Sequence, residues 1–181
     1  MKKVLLFSIL LLTTLSVFAY ETIIIKFPEK ELWVRGYYKK VGTEAILQYV
    51  PKGQSSNNWV RTVVIHSYNG SSFPVNVFMS NNTVKMQKMN PTAPYKTLRL
   101  TENDSIVGRC TEKYGKIEAQ CEFLRATRGY EGIVTIHYMN KNKNDFMNNY
   151  TQWYNIIKKA KLYNSYYRDE RTLDKAEYFE L

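Results

Sequence analysis

Both cysteines of this chain fall in one stretch, Ser105 to Phe123, and that stretch specifies its own pairing. If Gly115 and Lys116 form a two-residue hairpin loop, glycine holds the first central position that a type II′ turn prefers. Cys110 then lies opposite Cys121, Arg109 opposite Glu122, Thr111 opposite Gln120 and Lys113 opposite Glu118. The last three pairs are complementary, polar and on one face. The other face carries Ile106, Cys110 and Tyr114 against Ile117, Ala119, Cys121 and Phe123, apolar enough to lie on a core. A slip of one residue would scramble both faces. Opposed strand residues lie at a separation that a disulfide spans, so the register predicts a Cys110–Cys121 bridge. Two reduced, buried thiols are the alternative, and a zinc site would need a second close ligand pair that this spacing lacks.

The first residues have the three parts of a secretory leader: Lys2 and Lys3, an apolar run from Val4 to Leu12, and a small-residue site at Val17-Phe18-Ala19. Cleavage there starts the mature chain at Tyr20; an uncleaved membrane anchor is the alternative, although the run is short for a span. Export suits a disulfide, because an oxidising compartment preserves it. Closing so short a loop contributes about 2 to 3 kcal/mol. Of 26 basic residues, Lys2 and Lys3 leave with the leader, so 24 face 16 acidic ones. That balance favours contact with polyanionic surfaces such as phospholipid headgroups or lipopolysaccharide, without naming a ligand. The basic residues are scattered as on solvated faces, and nucleic acid is not expected as a physiological partner.

Read for periodicity, Glu21 to Phe27, Leu32 to Tyr38 and Val41 to Val50 form a three-strand meander, with a Gly42 turn entering the third strand. Ser55 caps a short turn that carries Trp59 toward the core, and Arg61 to Tyr68 is a strand closed by Asn69-Gly70. Ser72 and Pro74 open a helix from Phe73 to about Met89, with Val75, Phe78, Met79, Met86 and Met89 on one face. Ser80 to Thr83 is its weakest part. Tyr95 to Thr101 alternates and should pair with the bridged hairpin, and Gly132 to Met139 is the last strand. Asn144 caps a helix from Asp145 in which Phe146, Tyr150, Trp153, Ile157 and Ala160 share a face. Lys158, Lys159 and Lys161 complement its dipole. Leu162 to Leu181, rich in tyrosine and carboxylates, reads as a short helix, an ordered tail across the sheet or a recognition segment. The expected organisation is a leader over 1–19, one α+β domain over 20–163, and a tail over 164–181. Its antiparallel sheet has about six or seven strands flanked by two main helices.

Catalytic chemistry finds little footing. His66 and His137 are the only histidines, each inside a predicted strand. On neighbouring strands they would make a pair for metal binding or acid–base work; ordinary strand positions are the simpler reading. No metalloprotease helix motif, nucleophile elbow, phosphate loop or dinucleotide fingerprint is present. A bridged cysteine is no nucleophile, and the carboxylates single out no acid–base pair. No cofactor or metal is expected. Tyrosine, at 15 residues, supplies contact surface instead. Tyr37, Tyr38, Lys39 and Lys40 place an aromatic and basic cluster at a strand end and are the candidate contact residues, against the plainer reading of a half-exposed strand and turn.

The segment Tyr49-Val50-Pro51-Lys52-Gly53-Gln54, with Trp59 and the strand from Arg61 after it, resembles small exported proteins of Gram-negative bacteria. Those have a Tyr-x-Pro-x-Gly-Gln segment, a Trp, a central helix, a two-cysteine strand pair, and a closing strand and helix with a buried Trp, which Trp153 matches. Some look like substrates of secretion systems in pathogens. The element order is also similar to the Mog1/PsbP-like α/β/α sandwich, which implies a binding fold and brings no catalytic residues with it. The expectation is a non-catalytic, monomeric, exported binding protein, periplasmic or secreted, acting on a protein or a polyanionic surface. A polyanion or membrane-surface binder is one alternative. A secreted hydrolase, or an enzyme inhibitor inserting Asn140 to Asn144, is the other.

Overall fold

The computed structural model describes residues 21–91 and 93–164; the expected leader and the segment beyond 164 lie outside the described residues. The chain builds an α+β fold on a seven-stranded antiparallel sheet. Its strands are β2 (Trp33–Val41), β3 (Glu44–Pro51), β4 (Arg61–Asn69), β5 (Tyr95–Leu100), β6 (Asp104–Thr111), β7 (Gln120–Arg128) and β8 (Gly132–Asn140). Their spatial order is β2-β3-β4-β8-β7-β6-β5. Three helices cover it: α1 (Val75–Met89), α2 (Lys143–Asn148) and α3 (Tyr150–Lys159). Among the described residues no helix is long and apolar enough to cross a membrane.

The hairpin forms in the expected register, with Cys110 opposite Cys121, Arg109 opposite Glu122 and Thr111 opposite Gln120. Tyr114 and Ile117 exchange both backbone hydrogen bonds, at 3.0 and 3.0 Å, around Gly115 at φ +59. A side chain is strained at that φ, so glycine is what lets the turn close. The cysteines are bridged, and β5 pairs with β6 as expected.

Four expectations need correction. The first strand, β1 (Glu21–Ile24), does not join a meander; it pairs with β9 (Lys161–Asn164) in a separate two-stranded ribbon. Ser67 Oγ donates to the Glu21 carbonyl at 2.6 Å and Ile23 enters the core, so the ribbon lies over β4 instead of beside β2. The last helix is broken in two at Asn149, whose side-chain amide donates to the Asp145 carbonyl at 2.9 Å and carboxylate at 3.0 Å, the kind of local competition that interrupts a helix. Its cap is Asn142, which accepts from the Asp145 N–H, and not Asn144. Ser72 caps nothing on α1: the Val75 N–H instead donates to the Glu102 carbonyl at 2.9 Å. Trp59 is half-buried, with Lys141 Nζ 4.5 Å from its ring centre.

Alternation divides the sheet residues between two faces. Leu47, Tyr49, Val63, Ile65, Phe123 and Tyr138 meet α2, α3 and the ribbon. There Trp153 stacks on Tyr138 at 3.7 Å and meets Trp33 edge-on at 5.3 Å. Lys158 and Lys159 lie in the last turn of α3 as expected, Lys161 belongs to β9, and Arg125 adds a further cation at the helix end: its Nη1 donates to the carbonyls of Ile157, Lys158 and Ala160 at 2.9, 3.1 and 2.7 Å, while Asp104 holds its Nε at 2.8 Å. On the other face α1 buries Val75 and Met79 against Val107, Leu124, Ala126 and Ile133. Met89, expected on that face, is exposed.

Candidate functional site

Helix α1 covers only part of its face. It packs on β6 and β7, and the register then continues across β8, β4, β3 and β2 with His137 beside Val64, His66 beside Ile46, and Tyr68 beside Glu44. Along the seam between α1 and this uncovered part runs an open groove of about 500 Å³. The sheet contributes Glu44, Tyr68 and Asn69; α1 contributes Phe78, Asn81, Asn82 and Lys85; the 70–73 loop closes one end with Phe73. That volume is within the range usual for small-molecule sites.

The wall is built from half-buried anchors. Arg128, at the end of β7, donates to the carbonyls of Ser71 at 2.6 Å, Gly132 at 3.3 Å and Phe73. This guanidinium fixes the loop so that Phe73 is held with 61% of its surface exposed. Tyr68 packs edge-on against Phe78 at 5.2 Å and lies 3.9 Å from the His66 ring. Burial, with Glu44 adding to it, pushes the Tyr68 hydroxyl up to about 12, so it stays a neutral donor and acceptor at physiological pH. Two groove amides are unsatisfied: Asn69 Oδ1 and Asn82 Oδ1 are shut from solvent without a hydrogen-bond partner. A buried acceptor left so costs about 1 to 3 kcal/mol.

The histidines do come together, as diagonal neighbours on β4 and β8. His66 Nε2 lies 3.2 Å from Glu44, and His137 Nδ1 lies 3.8 Å from Glu122. Burial lowers the His66 pKa; Glu44 partly offsets this and His137 reinforces it. Glu122 is itself buried with Arg109 as ion-pair partner, whereas the Lys113 and Glu118 pair nearer the turn is exposed. Burial alone would raise the Glu122 carboxyl, but His137 and Arg109 outweigh it and leave the group below its ordinary value. Neither histidine lines the groove. Among the described residues no cluster of three or more His, Cys, Asp or Glu could hold a metal ion.

The expected contact cluster is split. Tyr37 and Lys39 pair with Gln48 and Ile46 and share the uncovered face, whereas Tyr38 and Lys40 point the other way, beside a cavity of about 30 Å³ under the ribbon. No side of the sheet presents all four. The groove residues went unread for identifiable reasons: Asn69-Gly70 reads as a turn, and Phe73 as part of a helix. The weak polar run in the α1 stripe, Ser80 to Thr83, was the one available signal, and Asn81 and Asn82 line the groove there. No family model matches the chain, nor does any curated protein or solved structure.

Proposed function

We propose that this chain is a non-catalytic exported binding protein that holds its ligand in the groove between α1 and the β3–β4 corner. The observation that carries this reading is the groove itself: aromatic side chains converge there with two asparagines whose buried amide oxygens lack partners. Fixed aromatic surface with a few convergent polar groups is the usual make-up of a ligand site. The disulfide fits a periplasmic or extracellular location. The layering, α1 on one face and α2 with α3 on the other, fits a Mog1/PsbP-like sandwich used for binding. Acid–base catalysis is the weaker reading, because His66 and His137 stand beside carboxylates but outside the groove.

The test is expression of the full chain with its own leader in a Gram-negative host. Periplasm and medium are separated, and cysteine state, leader cleavage and any retained small molecule are read by native mass spectrometry. A bridged, cleaved protein carrying a small molecule supports the proposal. Reduced thiols with the leader intact in the inner membrane contradict it.

A further inference from the structure

The geometry points to a saccharide as the occupant of the groove, an inference that rests on reading the groove as the ligand site. The reasoning starts from hydrogen-bond polarity. Asn69 and Asn82 each offer one carbonyl acceptor and one NH₂ donor, Glu44 adds acceptors, and Lys85 adds donors only. Both amide oxygens are shut from solvent without partners, and a rotation about the soft terminal torsion of asparagine exchanges oxygen and nitrogen between the buried side and the groove. A ligand with acceptors only, such as a phosphate, would satisfy Lys85 but leave those oxygens unpaired beside the Glu44 carboxylate. A donor-only ammonium would face Lys85. A hydrocarbon would leave the amides and Lys85 unmet, at the cost of desolvation.

Neighbouring hydroxyls match whatever faces the groove. Each hydroxyl both donates and accepts, so hydroxyls on a ring pair with whichever amide end, oxygen or nitrogen, is presented to them. A sugar ring also carries a flat C–H face, and Phe73 offers an exposed ring at the groove's end, on a loop whose carbonyls Arg128 holds. Tyr68 cannot serve equally as a stacking platform, since His66 already lies 3.9 Å from it. Phe73 therefore takes the apolar face of the sugar, and Asn69 and Asn82 take its hydroxyl edge.

The test is saturation-transfer and ¹H–¹⁵N shift mapping on the full bridged chain. The probes are cellobiose, maltose and N,N′-diacetylchitobiose, with adenosine monophosphate and a glycine-alanine-glycine tripeptide as competitors of other classes. The expected result is that at least one disaccharide moves the Asn69 and Asn82 side-chain amides, with strongest transfer at ring C–H protons. Phe73→Ala and Asn82→Leu should each weaken that binding about tenfold or more, while Tyr37→Ala leaves it unchanged and circular dichroism stays the same throughout. Shifts at the groove from the nucleotide or the tripeptide alone would overturn the saccharide and leave the groove standing. No groove response to any probe would bring down both.

Discussion

The two halves of the sheet are built to different ends. Helix α1 roofs β6 and β7 on one side, α2 and α3 roof β7 and β8 on the other, and most residues of these three strands are buried. From β2 through β4 the ribbon and helices cover one face only, and seven consecutive residues of β2 are exposed. Polar groups follow the same division. Across β6 and β7, Arg109 and Glu122 are buried and paired, whereas at the seam Asn69 and Asn82 have oxygens without partners. The roofed half holds the chain together, and the half-roofed side leaves the groove open beside α1.

Substitutions separate the halves by size of effect. Trp153→Ala removes an indole that is 1% exposed and should cost about 3 to 5 kcal/mol in urea unfolding. Arg109→Ala leaves the buried Glu122 carboxylate uncompensated and should cost a similar 3 to 5 kcal/mol, about the loss expected for breaking a buried pair. Reducing the Cys110–Cys121 bridge should cost about 2 to 3 kcal/mol, with the midpoint restored on reoxidation. At the small end, Phe73→Ala on the open seam should shift stability by no more than about 0.5 kcal/mol. A large loss there would place Phe73 in the core and erase the contrast.

Acid sharpens the same comparison. Because burial lowers the His66 pKa, the folded chain resists a proton that the unfolded chain accepts. Its contribution is therefore whole above the unfolded value of about 6.5 and erodes as pH falls below it. Glu122 is also held below its ordinary value, so its contribution is present above about 4.3 and is lost as pH falls through the lower folded value. Urea midpoints taken from pH 7 to pH 3 should drop in two stages. His66→Gln should abolish the upper stage and leave the lower one.

How much of this was legible in the sequence follows from the range of the forces involved. The bridged hairpin was readable to the residue because Gly115, the two cysteines and the Arg109 and Glu122 pair all agree on one register. The stripe from Phe146 through Ile157 was readable as one buried face, but its interruption was not, since Asn149 binding back to Asp145 is a side-chain geometry and not a pattern. The ribbon of β1 with β9 joins the two ends of the described chain, a pairing that local periodicity does not encode. The groove needed Asn69, Phe73 and Asn82 brought together by the packing of α1. The capping of α3 by Arg125 was missed because the nearby lysines gave a sufficient local explanation.

The most direct test of the central claim is to locate where small molecules touch the chain. A mixed set of sugars, nucleosides and short peptides is added to the ¹⁵N-labelled protein, and the largest shifts are mapped onto the fold. The expected result places them at Tyr68, Asn69, Phe73, Phe78 and Asn82. Largest shifts at Tyr37 to Lys40 on the β2 edge, or on the α2 and α3 face, would contradict it.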